Sequence, residues 1–462
     1  MRAGIRHLFR TFSRSVALLA VGVALASAPS AQAQQPGPGP GFDPDPVIFL
    51  HGFSGSGAQF ETQATRFVGQ GYAPEIIRSV EYNSLNTQMI MPMIFAQIDA
   101  AVADLQAISG HDQVNLVGHS LGTALSQTYL NSSPARAANI ANYVNIDGQV
   151  ATALPGGVRT LALFAGAARA VQGQIVGATN VTLPDQEHVQ AVTSVESFAQ
   201  MFQFFNGVAP TTTQVIPANG PISISGRALL FPQNDVVEPG SIVMVFPLDP
   251  ATGQRARTMM GMFAMPVAMS DIAADGSFGG ITTTPGLPHE FLLLRPTQGD
   301  NSFFTEPLLA SSNMFRLLTG EMNVGLDTLI TRDPATQAII FVRNQEFRGD
   351  RDAGVNDVLS LDGTNVINAV SAPSGFVGSP VAMVVQDVRA DGVTNLAMQA
   401  PGFDNVPFIS GVDAFSPSSP VFLPLRLDIV QRGNAANART LMLPRIASSR
   451  RAATVFLRDF DQ

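Results

Sequence analysis

From Val47 onward the chain alternates short apolar runs with stretches of helical period. The runs fall at 47–50, 76–80, 114–117, 143–146, 161–164 and 181–183. Between them, 59–68 puts Phe60, Ala64, Phe67 and Val68 on one helical face. The stretch 94–108 does the same with Ile94, Ile98, Ala101, Val102, Leu105 and Ile108. Unbroken apolar strands separated by amphipathic helices predict a mostly parallel sheet with helices on both faces.

After Gly207 the texture changes. Apolar strands at 222–224, 242–246, 290–294, 339–342, 382–385 and 454–457 are punctuated by Asn-Asp, Pro-Gly, Asp-Gly and Pro-Ser turns, and only 308–318 has a helical period. This predicts β-sandwich-like material, long enough for two β domains at 208–325 and 326–462. Residues 34–46 alternate Pro and Gly and read as an extended linker. Ahead of it, Arg2, Arg6, Arg10 and Arg14 precede a short apolar segment at 16–26, and Ala31-Gln32-Ala33 fits a small-x-small cleavage site. Residues 1–33 are therefore expected to be a signal peptide and the protein to be secreted, extracellular or periplasmic. The apolar segment is well short of the roughly 20 residues that span a bilayer.

Composition narrows the chemistry. Of 462 residues, 45% are apolar and 13% charged, which suits ordered domains with large cores. A net charge of −9 excludes nucleic acid as an expected partner, because phosphate binding needs a basic surface. The chain holds no Cys and no Lys. Thiol nucleophiles, disulfides, Cys-ligated zinc, Schiff-base lysines and P-loop lysines are thereby removed. With no dinucleotide fingerprint and no zinc pattern, neither cofactor nor metal is expected. The carboxylates from Asp350 to Asp357 lack the regular spacing of a calcium loop and read as a polar turn.

The chemistry concentrates in Val114-Asn-Leu-Val-Gly118-His119-Ser120-Leu121-Gly122. A buried strand, a G-x-S-x-G turn and a helix lift a serine hydroxyl to the carboxyl edge of a sheet, and Gly118 and Gly122 are needed because the turn is tight. This predicts an α/β hydrolase with Ser120 as nucleophile. Of the six histidines, His188 follows the apolar run 181–183 and is the expected base. Asp147, at the end of the run 143–146, is the expected acid, with Asp185 and Glu187 as rivals. The oxyanion hole needs backbone donors, here assigned to the amides of Phe53 and Leu121, with His51 and Gly52 supporting the turn and His119 belonging to the serine motif.

Taken together, Pro46-Val-Ile-Phe-Leu-His-Gly-Phe-Ser-Gly-Ser56, Gln59-Phe-Glu-Thr-Gln63, Val117-Gly-His-Ser-Leu-Gly-Thr123, Asn131-Ser-Ser-Pro-Ala-Arg-Ala-Ala138, Asp147-Gly148, His188-Val-Gln190 and Phe202-Gln-Phe-Phe-Asn-Gly207 resemble an archaeal-type secreted, thermostable lipase family. Its members carry an N-terminal α/β-hydrolase domain and a C-terminal β domain. The resemblance implies hydrolysis of carboxylic esters, with Ser120, Asp147 and His188 as the triad and Phe53 and Leu121 as oxyanion donors. It also implies that the β half handles lipid. One departure is clear. The family's long helical lid is replaced here by residues 83–113, in which Met89-Ile-Met-Pro-Met93 and the helix after it are a candidate residual flap.

Three functions compete: a lipase or esterase, a polyester depolymerase using the same triad, and a non-catalytic binding protein on a hydrolase scaffold. Phe263, Phe278, Phe291, Phe303, Phe304, Phe315 and Phe408 are candidates for an apolar docking surface on the β half, for a lipid interface or a polymer. On that view a chain ending near Gly207 keeps activity on short soluble esters and loses it on emulsified long-chain ones. The oligomeric state is not legible.

Overall fold

The computed structural model describes residues 39, 41–167, 173–256, 264–352, 354–375, 379–404, 406–420 and 423–459. The expected signal peptide, much of the 34–46 linker and Phe263 lie outside the described residues.

Strands β1 (Val47–Leu50), β2 (Ile77–Val80), β3 (Val114–His119), β4 (Ile140–Ile146), β5 (Thr160–Ala165) and β6 (Thr179–Leu183) form one parallel sheet in the order β2-β1-β3-β4-β5-β6. The helices are α1 (Glu61–Gly69), α2 (Thr87–Ser109), α3 (Leu121–Ser132), α4 (Pro134–Ala138), α5 (Gln190–Thr193) and α6 (Val195–Asn206). Successive side chains of a strand point to opposite faces. Phe49 accordingly joins one core with Phe60, Phe67, Phe198 and Phe202, while Ile48 and Leu50 join a second with Ile94, Ile98 and Leu105. Both faces are covered over β1, β3, β4 and β5, which therefore read as largely apolar runs rather than alternating ones, whereas the edge strand β6 is mostly exposed. This is the α/β-hydrolase architecture.

Helix α2 begins a full two turns before the expected 94–108 segment and runs through Pro92. Its N-terminal end is open: Met89 is 81% and Met93 63% exposed, whereas Ile90 and Met91 pack on the core. By length and composition α2 is the one described helix able to cross a membrane. Its Ile94, Phe95, Ile98, Val102 and Leu105 are nevertheless buried in the hydrolase core.

The remainder is β structure in several sheets. The largest has nine strands, in the order Ala268–Asp271, Ile242–Pro247, His289–Arg295, Gly299–Thr305, Ala453–Phe456, Ala338–Val342, Ala382–Gln386, Ile409–Asp413 and Asn395–Gln399. It draws strands from both sides of residue 325. A four-stranded sheet built around Ile222–Leu230 packs against one end through Ile224, Phe315, Val243, Phe291 and Phe303. Another, built around Leu425–Val430, covers Phe304, Phe341 and Val455. The arrangement is sandwich-like.

Two sequence expectations are corrected. The helical period at 308–318 is a strand, Ser312–Thr319. It pairs in parallel with Ile222–Leu230 through a bulge between Ser312 and Phe315, and six of its eight residues are buried, so the two-residue alternation is lost. Of the phenylalanines expected on a docking surface, Phe278, Phe291, Phe303, Phe304 and Phe315 are core, and Phe408 is half-buried.

The same Ser312–Thr319 strand joins the β half to the hydrolase. Met314 enters the hydrolase core. Asn313 donates its side-chain amide to the carbonyls of Pro74 and Ile77 at 2.6 and 2.9 Å. Arg316 pairs with Glu81 at 2.6 Å and donates to Ser79 Oγ at 2.7 Å, all three side chains being buried. Removing one partner of such a pair strands the other charge in the interior, which is strongly destabilising.

Candidate active site

Ser120 stands between β3 and α3 with φ 50° and ψ −119°, outside the regions a non-glycine residue ordinarily adopts. The surroundings over-determine it. A Cβ on Gly118 would lie 2.7 Å from the Gly122 carbonyl oxygen, and one on Gly122 would lie 2.2 Å from the Leu50 carbonyl oxygen. The turn therefore packs against the end of β1 with no room for a side chain. The Ser120 amide donates to the Ile146 carbonyl at 3.0 Å, and the Ser120 carbonyl accepts from the Thr123 hydroxyl at 2.7 Å.

Asp147 caps β4, fully buried and also at positive φ, 42°. Its Oδ1 accepts from the Ala165 amide at 2.9 Å, and its Oδ2 lies 2.6 Å from His188 Nδ1. Nδ1 therefore carries the proton, and Nε2 is the ring's acceptor nitrogen. The rivals for this role are engaged elsewhere. Glu187 faces Arg432 at 3.0 Å and Arg348 at 3.3 Å, and Asp185 is exposed.

His119 is buried, its ring 4.6 Å from that of His188. Burial, with the neighbouring His188, holds its pKa well below the ordinary histidine value. The neutral ring donates from Nε2 to the His188 carbonyl at 3.1 Å.

Gly52 lies against Ser120, since a Cβ there would be 3.2 Å from Ser120 Cβ. In the same turn the Gly52 amide donates to Gln59 Oε1 at 3.1 Å and the Ser54 amide to Ser84 Oγ at 2.8 Å. Phe53, between them, is 43% exposed. Leu121 is the first residue of α3, so its amide has no acceptor within the helix. His51 is buried and braces the turn: Nδ1 donates to the Gly52 carbonyl at 2.8 Å, the ring stacks on Tyr82 at 4.0 Å, and the Tyr82 hydroxyl donates to the His51 carbonyl. Burial lowers its pKa.

Two side chains of the β half, neither signalled by any sequence motif, reach this site. Asn234 touches the His51 turn, and Glu346 accepts from the amides of Val189 and Gln190 directly after His188. Only three-dimensional proximity reveals them. The Asp350–Asp357 carboxylates are bound by protein donors: Asp350 by Ser374, and Asp357 by Arg343 and the amides of Arg348 and Arg432. Among the described residues no group of side chains is arranged to hold a metal ion.

Residues 45–191 match the family model of the alpha/beta hydrolase fold. This segment is an α/β-hydrolase domain. Residues 220–322 match the lipase C-terminal domain, and 325–461 match a further C-terminal-domain family. No curated protein matches the sequence. Solved structures with some likeness include lipase B of Aspergillus fumigatus, at 13% identity over 40% of this chain and 56% of that one, TM-score 0.28. A Bacillus licheniformis lipase in propeptide form shows 13% identity over 53% and 72%, TM-score 0.29. A phospholipase of Legionella pneumophila shows 10% identity over 60% and 94%, TM-score 0.27. Scores this low leave the assignment to the family matches and the geometry.

Proposed function

We propose that the protein is a secreted serine hydrolase of carboxylic esters, a lipase or esterase, working through an acyl-enzyme. The carrying observation is the 2.6 Å bond from His188 Nδ1 to buried Asp147, beside a serine held at positive φ on a strand–turn–helix. The match of residues 220–322 to the lipase C-terminal domain supports a lipid-type ester as substrate. The Arg-rich start, short apolar segment and Ala31-Gln32-Ala33 support export.

In this reading His188 Nε2 takes the Ser120 proton as Oγ attacks the ester carbonyl carbon. Asp147 fixes the tautomer and stabilises the imidazolium, without itself taking the proton. The carbonyl oxygen becomes an oxyanion facing the amides of Phe53 and Leu121, with the N-terminus of α3 adding to the favourable field. His188 then returns the proton to the leaving alcohol as the ester C–O bond breaks. Water, deprotonated by the same ring, releases the acid and restores Ser120.

Fluorophosphonate labelling together with rates on p-nitrophenyl esters of increasing chain length tests this. The expected result is labelling at Ser120, and a folded Ser120→Ala variant that loses labelling and about 10⁴-fold or more in kcat. A folded Ser120→Ala protein with near wild-type rates refutes the reading.

A further inference from the structure

A histidine base must be held to within about half an ångström of its working position, and a displacement of about 1 Å costs on the order of 100-fold. The ring of His188 is held by Asp147, and its carbonyl by His119. The chain leaving His188 is held from the other half of the molecule. Glu346 Oε1 accepts from the Val189 amide at 2.6 Å, and Oε2 accepts from the Gln190 amide at 2.9 Å. The carboxylate grips two consecutive amides, beginning with the one next to the base. Glu346, Val189 and His188 are all buried.

A carboxylate is an expensive choice for a buried brace, and here it is more so because Glu187 carries a like charge beside it. Burial, and then Glu187, raise the pKa of Glu346; the Val189 amide and Arg432, itself paired with Glu187 at 3.0 Å, oppose this in part. A neutral amide side chain could not do the same work, because its NH₂ would point at an N–H.

We propose that Glu346 is a positioning residue for His188, so that a side chain of the β half sets the efficiency of the base in the hydrolase domain. This rests on His188 being the base. The brace acts on the chemical step rather than on substrate binding, so the loss appears in kcat with KM little changed.

The test compares the full-length wild type with Glu346→Gln, Glu346→Ala and, as a contact between the two halves remote from His188, Asn313→Ala. Rates on p-nitrophenyl butyrate are divided by the fraction of molecules whose Ser120 a fluorophosphonate labels to completion, which corrects for unfolded protein. Glu346→Gln, nearly the same size, is expected to lose about 10- to 100-fold in kcat per labelled site with KM within about twofold, and Glu346→Ala at least as much. Asn313→Ala is expected to lower Tm and keep kcat per site. If Glu346→Gln keeps kcat per site within about twofold, Glu346 is a structural contact only and the proposal is overturned. Failure of the underlying reading looks different: a folded His188→Ala variant would retain turnover whatever Glu346 does.

Discussion

The side-chain amide of Asn234 donates to the Gly55 carbonyl at 2.8 Å and lies 3.3 Å from Nε2 of His51. It also reaches the Tyr82 carbonyl at 3.2 Å. Asn234 sits at φ 61° in the turn between Ile222–Leu230 and Asp235–Val236, so the β half steadies the turn that carries the Phe53 amide. Asn234→Gly keeps the backbone freedom and removes the side chain. It should lower stability by about 1–3 kcal/mol, through carbonyls left without a donor, and, if the Phe53 amide serves the proposed oxyanion hole, lower kcat by about tenfold as its turn loosens. Thermal melts and steady-state rates measure both; an unchanged kcat would separate Asn234 from the proposed oxyanion hole.

The acid of the triad is testable by paired substitution. Asp147→Asn should cost about 10³–10⁴ in kcat, because the amide stabilises the wrong tautomer of His188. Asp185→Asn, at an exposed position, should stay within a few-fold. A reversed order of the two effects would reassign the acid.

Gly122→Ala should not give a stable fold. Its Cβ would sit 2.2 Å from the Leu50 carbonyl oxygen and 2.7 Å from that of His51, both backbone atoms that cannot rotate away. Overpacking of this kind costs on the order of 3 kcal/mol or more. A soluble Gly122→Ala protein melting with the wild type would contradict the packing of the turn.

Acid should destabilise the protein in two stages. Burial depresses the pKa of His51, of His119 and of His289, the last to about 4. Each binds a proton more readily in the unfolded chain, so stability is complete above the unfolded value of 6.5 and is lost as pH falls below it, down to about 4 for His289. Burial pushes the Glu81 carboxyl up, but Arg316, His51 and the Gly57 amide more than offset this and leave it at about 2. Its contribution is present above the unfolded value of 4.5 and is lost as pH falls towards 2. His111, raised by Asp43 and then by Asp45, runs the other way, but it is only part-buried and screened. Melts at pH 7.5, about 5.5 and about 4 should therefore show a falling Tm before the ordinary carboxylate range is reached; a flat Tm down to pH 4.5 would contradict this.

A fragment ending near Gly207 should lose activity on short and long esters alike. This reverses the expectation from sequence, and the reason is specific: the cut removes Asn234 from the turn that carries Phe53, Glu346 from the His188 loop, Arg316 from buried Glu81 and Met314 from the hydrolase core. Rates on p-nitrophenyl acetate with circular dichroism of the fragment decide it; a folded fragment with full short-ester turnover would restore the docking view.

The legible features were the local ones. The apolar runs mark the four central strands of the parallel sheet because both faces are covered there, while the edge strand Thr179–Leu183, mostly exposed, shows only a short run; the glycines of the serine turn could be read because a tight turn excludes side chains by simple sterics. Strand-end position pointed to Asp147 over Asp185 and Glu187, and the 2.6 Å contact with His188 falls on Asp147. What could not be read depends on pairing across long sequence distances. Glu346, Asn234 and Arg316 are ordinary polar residues in strands and turns until folding sets them against the hydrolase. Phe278, Phe291, Phe303, Phe304 and Phe315 are core rather than docking surface, because periodicity cannot tell which face of a strand a second sheet will cover.

The nine-stranded sheet has a temporal consequence. Ala453–Phe456 follows every other strand of that sheet in the chain, yet it lies in the interior, parallel to Gly299–Thr305 on one side and to Ala338–Val342 on the other. Until residue 456 has been synthesised, the strands before 305 and those after 338 share no ladder, and the sheet exists as two unconnected pieces. Glu346 is carried just beyond Ala338–Val342, on the piece that waits for that rung. A nascent chain can thus complete its parallel sheet and serine turn early, while the Glu346 contacts with the Val189 and Gln190 amides arrive late.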